Sequence, residues 1–438
     1  PVKAPAFPEH TFDVRDFGAV DDGTTANTQA FRQAIEACHE QGGGTVSIPA
    51  GTWATGPIHL RGNVNLRLEK DALLRFSTRF ADYLPVVFTR WEGVECYNYS
   101  PLIYAHDCEN VAVTGDGALD GQGEAWWHWK KLQQGAAKTL YDAEFDGVPV
   151  EERVYGTEEA ALRPQFIQTV RCRNVLIEGV TFLNGPMWTM HPVYCENVLI
   201  RRVTVKSKGP NTDGLNPDSC RNVLVEDCAF STGDDCVAIN SGMNEDGWRV
   251  GRPCENILIR NCSMSEGHGA VAIGSGMSGD VRNVYVYDCD FTGGDQGIRL
   301  KSMRGRGGLV ENVHFENIRM ANLRREAIVL NLFYGSTTVA PRSEAPPVLR
   351  GIHVKDVTCE SAGVAVLIRG LPEQRVERVV LENLRLSAVE GIRCQDVDDL
   401  TLRDVQGLVQ KEPLFDCSNV KGLNATNVTL DRADKTEV

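Results

Sequence analysis

NTDGLNPDSC (211–220), STGDDCVAIN (231–240), EGHGAVAIGS (266–275) and GIRLKS (297–302) decide how this chain folds. Each sets a polar cluster beside a short run of strand-forming residues. The clusters hold Asp213, then Asp234 with Asp235, then His268, then Arg299 with Lys301. The steps between them are 22, 33 and 31 residues. A repeat of that length places successive clusters on successive turns of a coil, so residues far apart in the chain become neighbours in space.

Outward from this stretch the same repeat recurs. A small or polar residue, often Cys, stands two before an Asn that opens an alternating apolar run. It reads CENV at 108–111, CRNV at 172–175, CENV at 195–198, CRNV at 220–223 and CENI at 254–257, with weaker copies around Asn283, Asn312 and Asn419. From Asn174 onward the Asn-to-Asn steps are 23, 25, 34, 27 and 29 residues. NVLIEGVTF (174–182) and NVLVEDCAF (222–230) alternate apolar and polar residues, the period of a strand with one buried face. No helical segment separates these strands, as a leucine-rich repeat requires, and most steps are short for a propeller blade. The expected fold is therefore all-β, a right-handed parallel β-helix, with one solenoid domain running through residues 1–438. Asn tolerates the left-handed backbone of a tight turn, and stacked Asn side chains can bond from coil to coil.

Residues 12–60 form the start. Phe31, Ala34, Ile35 and Cys38 share one face of a helix over 28–40. Asn27 or Thr28 is its expected cap, and Gly42, Gly43 and Gly44 stop it. Such a helix covers the otherwise open first coil. Residues 121–165 break the repeat as a long insertion carrying Trp126, Trp127 and Trp129. Those rings either stack on sugar or pack the insertion down. Coils resume at 166–345, continue more weakly through 346–430, and residues 435–438 are expected to fray.

The 42% apolar and 24% charged composition is that of a globular chain. A net charge of −14 argues against nucleic acid or an anionic membrane surface as partner, and no apolar run is long enough to span a bilayer. An anionic polymer would have to be drawn in by a local basic site. The fourteen Cys fall at equivalent turn and strand positions, which favours stacked free thiols over a disulfide framework, and no C-x-x-C pair suggests zinc.

Three carboxylates on adjacent coils can hold one protonated and one ionised group, which glycosidic hydrolysis needs across the scissile bond. A lone Asp near a turn is more often a cap, but three beside Gly are hard to explain that way. Arg299 and Lys301, two apart, share one strand face and could bind a carboxylate.

At these four clusters the chain resembles glycoside hydrolase family 28, the polygalacturonases and their relatives. The family's Asn-Thr-Asp, Gly-Asp-Asp, Gly-His-Gly and Arg-x-Lys stand here at 211–213, 233–235, 267–269 and 299–301, in order. DFGAVDDG (16–23) also resembles the family's start, while 84–105 and 150–168 look more like its bacterial exo-acting members. Leu300 departs from the commoner Ile. The resemblance implies hydrolysis of α-1,4-galacturonosyl linkages in polygalacturonate or oligogalacturonides, with inversion and without metal or cofactor, by a secreted or periplasmic protein. It implies that Asp234 protonates the leaving oxygen, Asp213 and Asp235 hold the water, and His268 tunes the acid. Arg299 and Lys301 would bind the galacturonate carboxylate. Asn211, Tyr334, Trp188 and His191 are further candidate substrate contacts. One tension is built in: coils lie about 4.8 Å apart, and carboxyls so close ordinarily signal retention. The alternatives are an endo-acting or rhamnogalacturonan-type hydrolase, a Ca²⁺-dependent pectate lyase, or a non-catalytic carbohydrate-binding β-helix.

Overall fold

In a computed structural model, residues 2–335 and 344–433 are described. The chain divides into two compact units, 1–234 and 235–438. Residues 435–438, expected to fray, lie outside the described residues.

Both units have the expected architecture, a right-handed parallel β-helix. In the first, three parallel ladders run along the coil. One joins Val64–Leu68, Glu109–Gly115, Arg173–Glu178, Glu196–Arg201 and Arg221–Glu226 in register. A second joins Ala72–Phe76, Ala118–Asp120, Thr181–Leu183, Thr204–Ser207 and Ala229–Thr232. The third joins Ile58–His59, Ile103–His106, Ile167–Val170 and Met190–Val193. In the second unit Val237–Ile239, Gly269–Ile273, Gln296–Lys301, Glu326–Asn331 and Val364–Arg369 stack in the same way. The inward residues of these strands are apolar and fully buried: Val175 and Ile177 over Val198 and Ile200, and Ile298 and Leu300 over Ile328 and Leu330.

The recurring Asn does what its chemistry allows. Asn110, Asn174, Asn197 and Asn222 all take φ between 55° and 60°. Each side-chain amide donates to the Asn of the preceding coil: Asn110 to Asn63 at 2.8 Å, Asn174 to Asn110 at 2.9 Å, Asn197 to Asn174 at 3.2 Å and Asn222 to Asn197 at 3.3 Å. The second unit repeats the device with Asn256, Asn283 and Asn312. A Cβ-bearing residue that cannot bond locally finds this backbone unfavourable, so each Asn meets a conformational and a hydrogen-bonding demand at once.

Helix α1 (Thr28–Glu40) buries Ala30, Phe31, Ala34, Ile35 and Cys38, and packs on the strands at 11–13, 44–48 and 64–68. Its cap departs from expectation. Asn27 occupies the N-cap position but makes no side-chain cap bond. Its amide instead accepts from Val20 N at 2.7 Å and donates to the carbonyls of Val20, Thr25 and Ala54. Thr28 Oγ1 accepts from Gly56 N at 2.7 Å. Both side chains tie the entry loop to the first coils, and that use outcompetes capping. All fourteen Cys are free thiols, twelve of them buried, as the stacked-thiol reading expects.

The insertion is largely helical, with segments at Glu124–Trp127, Trp129–Leu132 and Gln134–Phe145. Trp126 and Trp129 are fully buried and cluster with Phe80 and Tyr99, which excludes them as sugar platforms. Burial of such rings supplies the docking energy that a polar insertion otherwise lacks.

Asn174→Ala removes one donated and one accepted ladder bond and leaves Ala at φ 58°. Urea unfolding is expected to show a loss of about 2–4 kcal/mol. Asn174→Gly should recover the part due to the backbone.

Candidate active site

The polar clusters fall on both units. In the first, the NTD turn is locked before any chemistry is considered. Asn211 takes φ 55°, a conformation Asn accepts readily. Thr212 Oγ1 donates to Gly209 O and Ser207 O, and accepts from Gly233 N at 3.2 Å. Asp213 is buried, its Oδ2 accepting from Asn216 Nδ2 at 2.9 Å. Its backbone carbonyl receives Thr189 N from the preceding coil. Carboxylate oxygens of Asp213 and Asp234 lie within 4.8 Å of each other. Asp234 is only half-buried, so it is the more accessible of the two. Gly233 has no room for a side chain, since a Cβ there would stand 2.1 Å from Gly209 O.

Two residues of the insertion complete this half: Trp127, one of the three Trp noted in the sequence, and Arg163, which sequence reasoning did not single out. Arg163, from the end of the insertion, is fully buried. Its guanidinium donates to Gln133 Oε1 at 3.0 Å, Pro186 O at 3.0 Å, Pro210 O at 2.7 Å and Asn211 Oδ1 at 2.7 Å. Asn211 Nδ2 then faces Asp234 Oδ2 at 3.5 Å. Burial draws the Arg163 pKa down to about 10 against the pull of Glu92 and Asp234. Trp127, unlike its two neighbours, stays half-exposed. Its Nε1 donates to Gly185 O at 2.9 Å, and its indole lies against Gly209, where a Cβ would come within 2.1 Å of the ring. Arg163 lies in the 150–168 stretch that resembles exo-acting members, but nothing there marks this residue, because the insertion has no periodicity to align it with.

Trp188 and His191 separate into two classes. Trp188 is half-buried and makes an edge contact with the His191 ring at 4.8 Å. His191 has no exposed surface, so the expectation of a direct substrate contact is not met. Gln168 Oε1 accepts from Thr89 Oγ1, which turns Gln168 Nε2 toward His191 Nδ1 at 3.0 Å. His191 Nε2 therefore carries the hydrogen, donated to Asp218 Oδ2 at 3.0 Å, and Asp218 also pairs with buried Arg90. Burial pushes the His191 pKa down, against Asp218. A neutral, doubly bonded ring holds Trp188 in place.

In the second unit Asp235 is buried and ion-paired twice, with Arg299 Nη1 at 2.8 Å and Lys301 Nζ at 2.7 Å. The strand Gln296–Lys301 presents both cations on one face, as their spacing requires. Tyr334 lies over them, its ring centroid 5.7 Å from the Arg299 guanidinium and 5.0 Å from Lys301 Nζ, within cation–π range. Gly269 is obligatory here: a Cβ would meet Asp235 Oδ1 at 2.7 Å and Arg299 Cδ at 2.9 Å. Gly267 takes φ 75°. Between these glycines His268 is exposed, which excludes a packed core histidine.

Comparison with known proteins agrees in sequence and in fold. Residues 151–398 match the family model of glycosyl hydrolases family 28. A probable polygalacturonase of Vitis vinifera is 32% identical over 90% of this chain and 78% of its own. An exo-poly-alpha-D-galacturonosidase of Dickeya chrysanthemi is 27% identical over 88% of this chain and 69% of its own. The crystal structure of a hyperthermoactive exopolygalacturonase from Thermotoga maritima superposes with a TM-score of 0.88 at 39% identity, covering 98% of this chain and 94% of that one.

Asp235→Asn leaves two nearly buried cations without their shared counter-charge. Removing one partner of a buried pair costs about 3–5 kcal/mol, so urea unfolding should show a loss of that order, larger than for Asp234→Asn at the half-exposed neighbour.

Proposed function

Since the chain belongs to glycosyl hydrolases family 28, we propose that it hydrolyses α-1,4-galacturonosyl linkages of polygalacturonate or oligogalacturonides, with inversion, from a chain end. The observation that carries the chemistry is the unequal treatment of its carboxyls. Asp235 is buried and paired with two cations, whereas Asp234 is half-exposed beside buried Asp213 and faces the Asn211 amide. Environments that differ so much separate an acid from a base.

In this reading Asp234 gives its proton to the leaving glycosidic oxygen. Asp213 and Asp235 hold the water and take its proton as it attacks the anomeric carbon. His268, exposed and flanked by glycines, sets the orientation or protonation of the acid. Arg299 and Lys301 exchange part of their pairing with Asp235 for the substrate carboxylate, a bidentate and charge-assisted contact suited to galacturonate. Tyr334 steadies both cations and offers its ring to the sugar, and Trp188 offers another. Asn211 is a site residue through Asp234. No step calls for a metal or a cofactor. Carboxylate oxygens of Asp213 and Asp234 within 4.8 Å of each other stand against inversion by the usual rule; proton NMR of the first-formed anomer decides it, and retention would overturn the mechanism.

End-wise action is supported by the insertion, which is fixed against the Gly209–Asn211 turn through Trp127 and Arg163, and by the exo-acting relatives. A secreted or periplasmic location follows from the substrate, a cell-wall polymer too large to enter a cell.

Asp234→Asn should lower kcat by a factor of about 10³ or more while the unfolding midpoint stays within a few degrees. Wild-type-like turnover would remove Asp234 as the acid. Mass spectrometry of early products from polygalacturonate should show saturated galacturonate monomer alone. A ladder of saturated oligomers would mean endo action, and unsaturated products would mean a lyase.

A further inference from the structure

We propose that Arg163, from the insertion, is a positioning residue for the acid: it fixes the Asn211 amide so that Nδ2 faces Asp234, and its buried charge favours the carboxylate that Asp234 becomes. The inference rests on the reading of Asp234 as proton donor.

Three observations support it. The first is the direction of the Asn211 amide. An Asn side chain can present oxygen or nitrogen to a carboxylate, and oxygen would repel it. Arg163 Nη2 donates to Asn211 Oδ1 at 2.7 Å, so that end is taken and Nδ2 is left for Asp234 Oδ2. Because Arg has no acceptor atom, the assignment admits one orientation only.

The second is that, among the described residues, no carboxylate pairs with the buried guanidinium. Its four bonds go to two backbone carbonyls and two side-chain amide oxygens. Burying a cation on neutral acceptors alone is costly. Compensating charge comes from Glu92, which Tyr141 of the insertion helix bonds, and from Asp234 itself. Coupling between two sites is reciprocal: if ionised Asp234 steadies Arg163, Arg163 steadies ionised Asp234.

The third is geometry of anchorage. Arg163 ties Pro186 O and Pro210 O, from the turns of two successive coils, to Gln133 between two helices of the insertion. The insertion thus reaches the acid through bonds, and docking it and setting the acid are one event.

When Asp234 hands its proton to the leaving oxygen, it becomes a carboxylate close to Asp213 and adjoining Asp235 in the chain. Those two negative charges oppose that outcome. Arg163 and the Asn211 amide favour it, making Asp234 a stronger acid in the transition state. The same interaction lowers the pH at which the acid is lost. The charged groups that bear on the acid in this reading are Asp213, Asp235, Arg163 and, behind it, Glu92, with His268 as the titrating partner assigned by family motif.

The test is the pH profile of kcat on polygalacturonate for the full chain and three variants. Arg163→Met removes the charge and frees the amide. Asn211→Asp keeps an acceptor for Arg163 and tolerates the left-handed backbone, but turns a negative charge toward Asp234. In both, the alkaline limb should move up by about 0.5–1 pH unit and the plateau of kcat fall by about tenfold. Arg163→Lys keeps the charge but cannot reproduce the four bonds, so its limb should stay near that of the wild type while kcat falls. An unmoved limb in Asn211→Asp overturns the inference even if Arg163→Met does not fold, and so does a variant set in which KM alone rises. Asp234→Asn, assayed in parallel, distinguishes this from failure of the underlying reading: turnover in that variant would remove the acid, whatever Arg163 does.

Discussion

The in-register hydrogen bonding of one coil on the next is the constraint on which everything else depends. Within each unit it sets a fixed rise from one strand to the next and leaves each turn only the backbone conformations that repeat. Where the turn demands positive φ, Asn supplies it and bonds its counterpart on the coil before, as at Asn110, Asn174, Asn197 and Asn222. Where two turns meet too closely for a Cβ, Gly is the only solution, as at Gly233, and at Gly269 it leaves room for the Asp235 and Arg299 side chains. The site is therefore built from residues whose backbone places were decided before their side chains could act. Only neighbouring coils touch, so this order is local and accumulates along the axis.

Much of this was legible in the sequence because the repeat is regular where the coils are regular. The Asn spacing revealed the solenoid, and alternation in GIRLKS put Arg299 and Lys301 on one face. Three short motifs pointed to Asp213, Asp234, Asp235 and His268, and a fourth to Arg299 and Lys301. The capping helix was readable from its apolar face, but the use of Asn27 was not. An Asn can cap, bridge or bond its own turn, and only the position of Ala54 and Val20 decides which. His191 shows the same limit. Its place one coil before the site suggested contact with sugar, yet a network of Gln168, Asp218 and Arg90 turns it inward.

What the sequence hid most completely lies in the aperiodic part. Trp126, Trp127 and Trp129 look alike as letters, but two are core residues and one lies against a glycine beside the NTD turn. Arg163 stands in a stretch that resembles exo-acting relatives, yet its own role comes from four acceptors that lie between 23 and 48 residues away in the chain. Likewise the pairing of Asp235 with both Arg299 and Lys301 gives the expected substrate-binding cations a partner before any substrate arrives.

The Asn column also bears on how such a protein can change. Asn110 and Asn174 bond as neighbours although 64 residues separate them, whereas Asn174 and Asn197 are only 23 apart. Closing the longer segment costs only about 1 kcal/mol more, because closure entropy grows with the logarithm of length. A stretch of some forty residues can thus be exchanged between two coils while register, core and carboxylates stay where they are. The scaffold behaves as a socket, and selection on the chain end of the polymer can proceed by replacing what is plugged into it, provided that the newcomer brings its own Arg163.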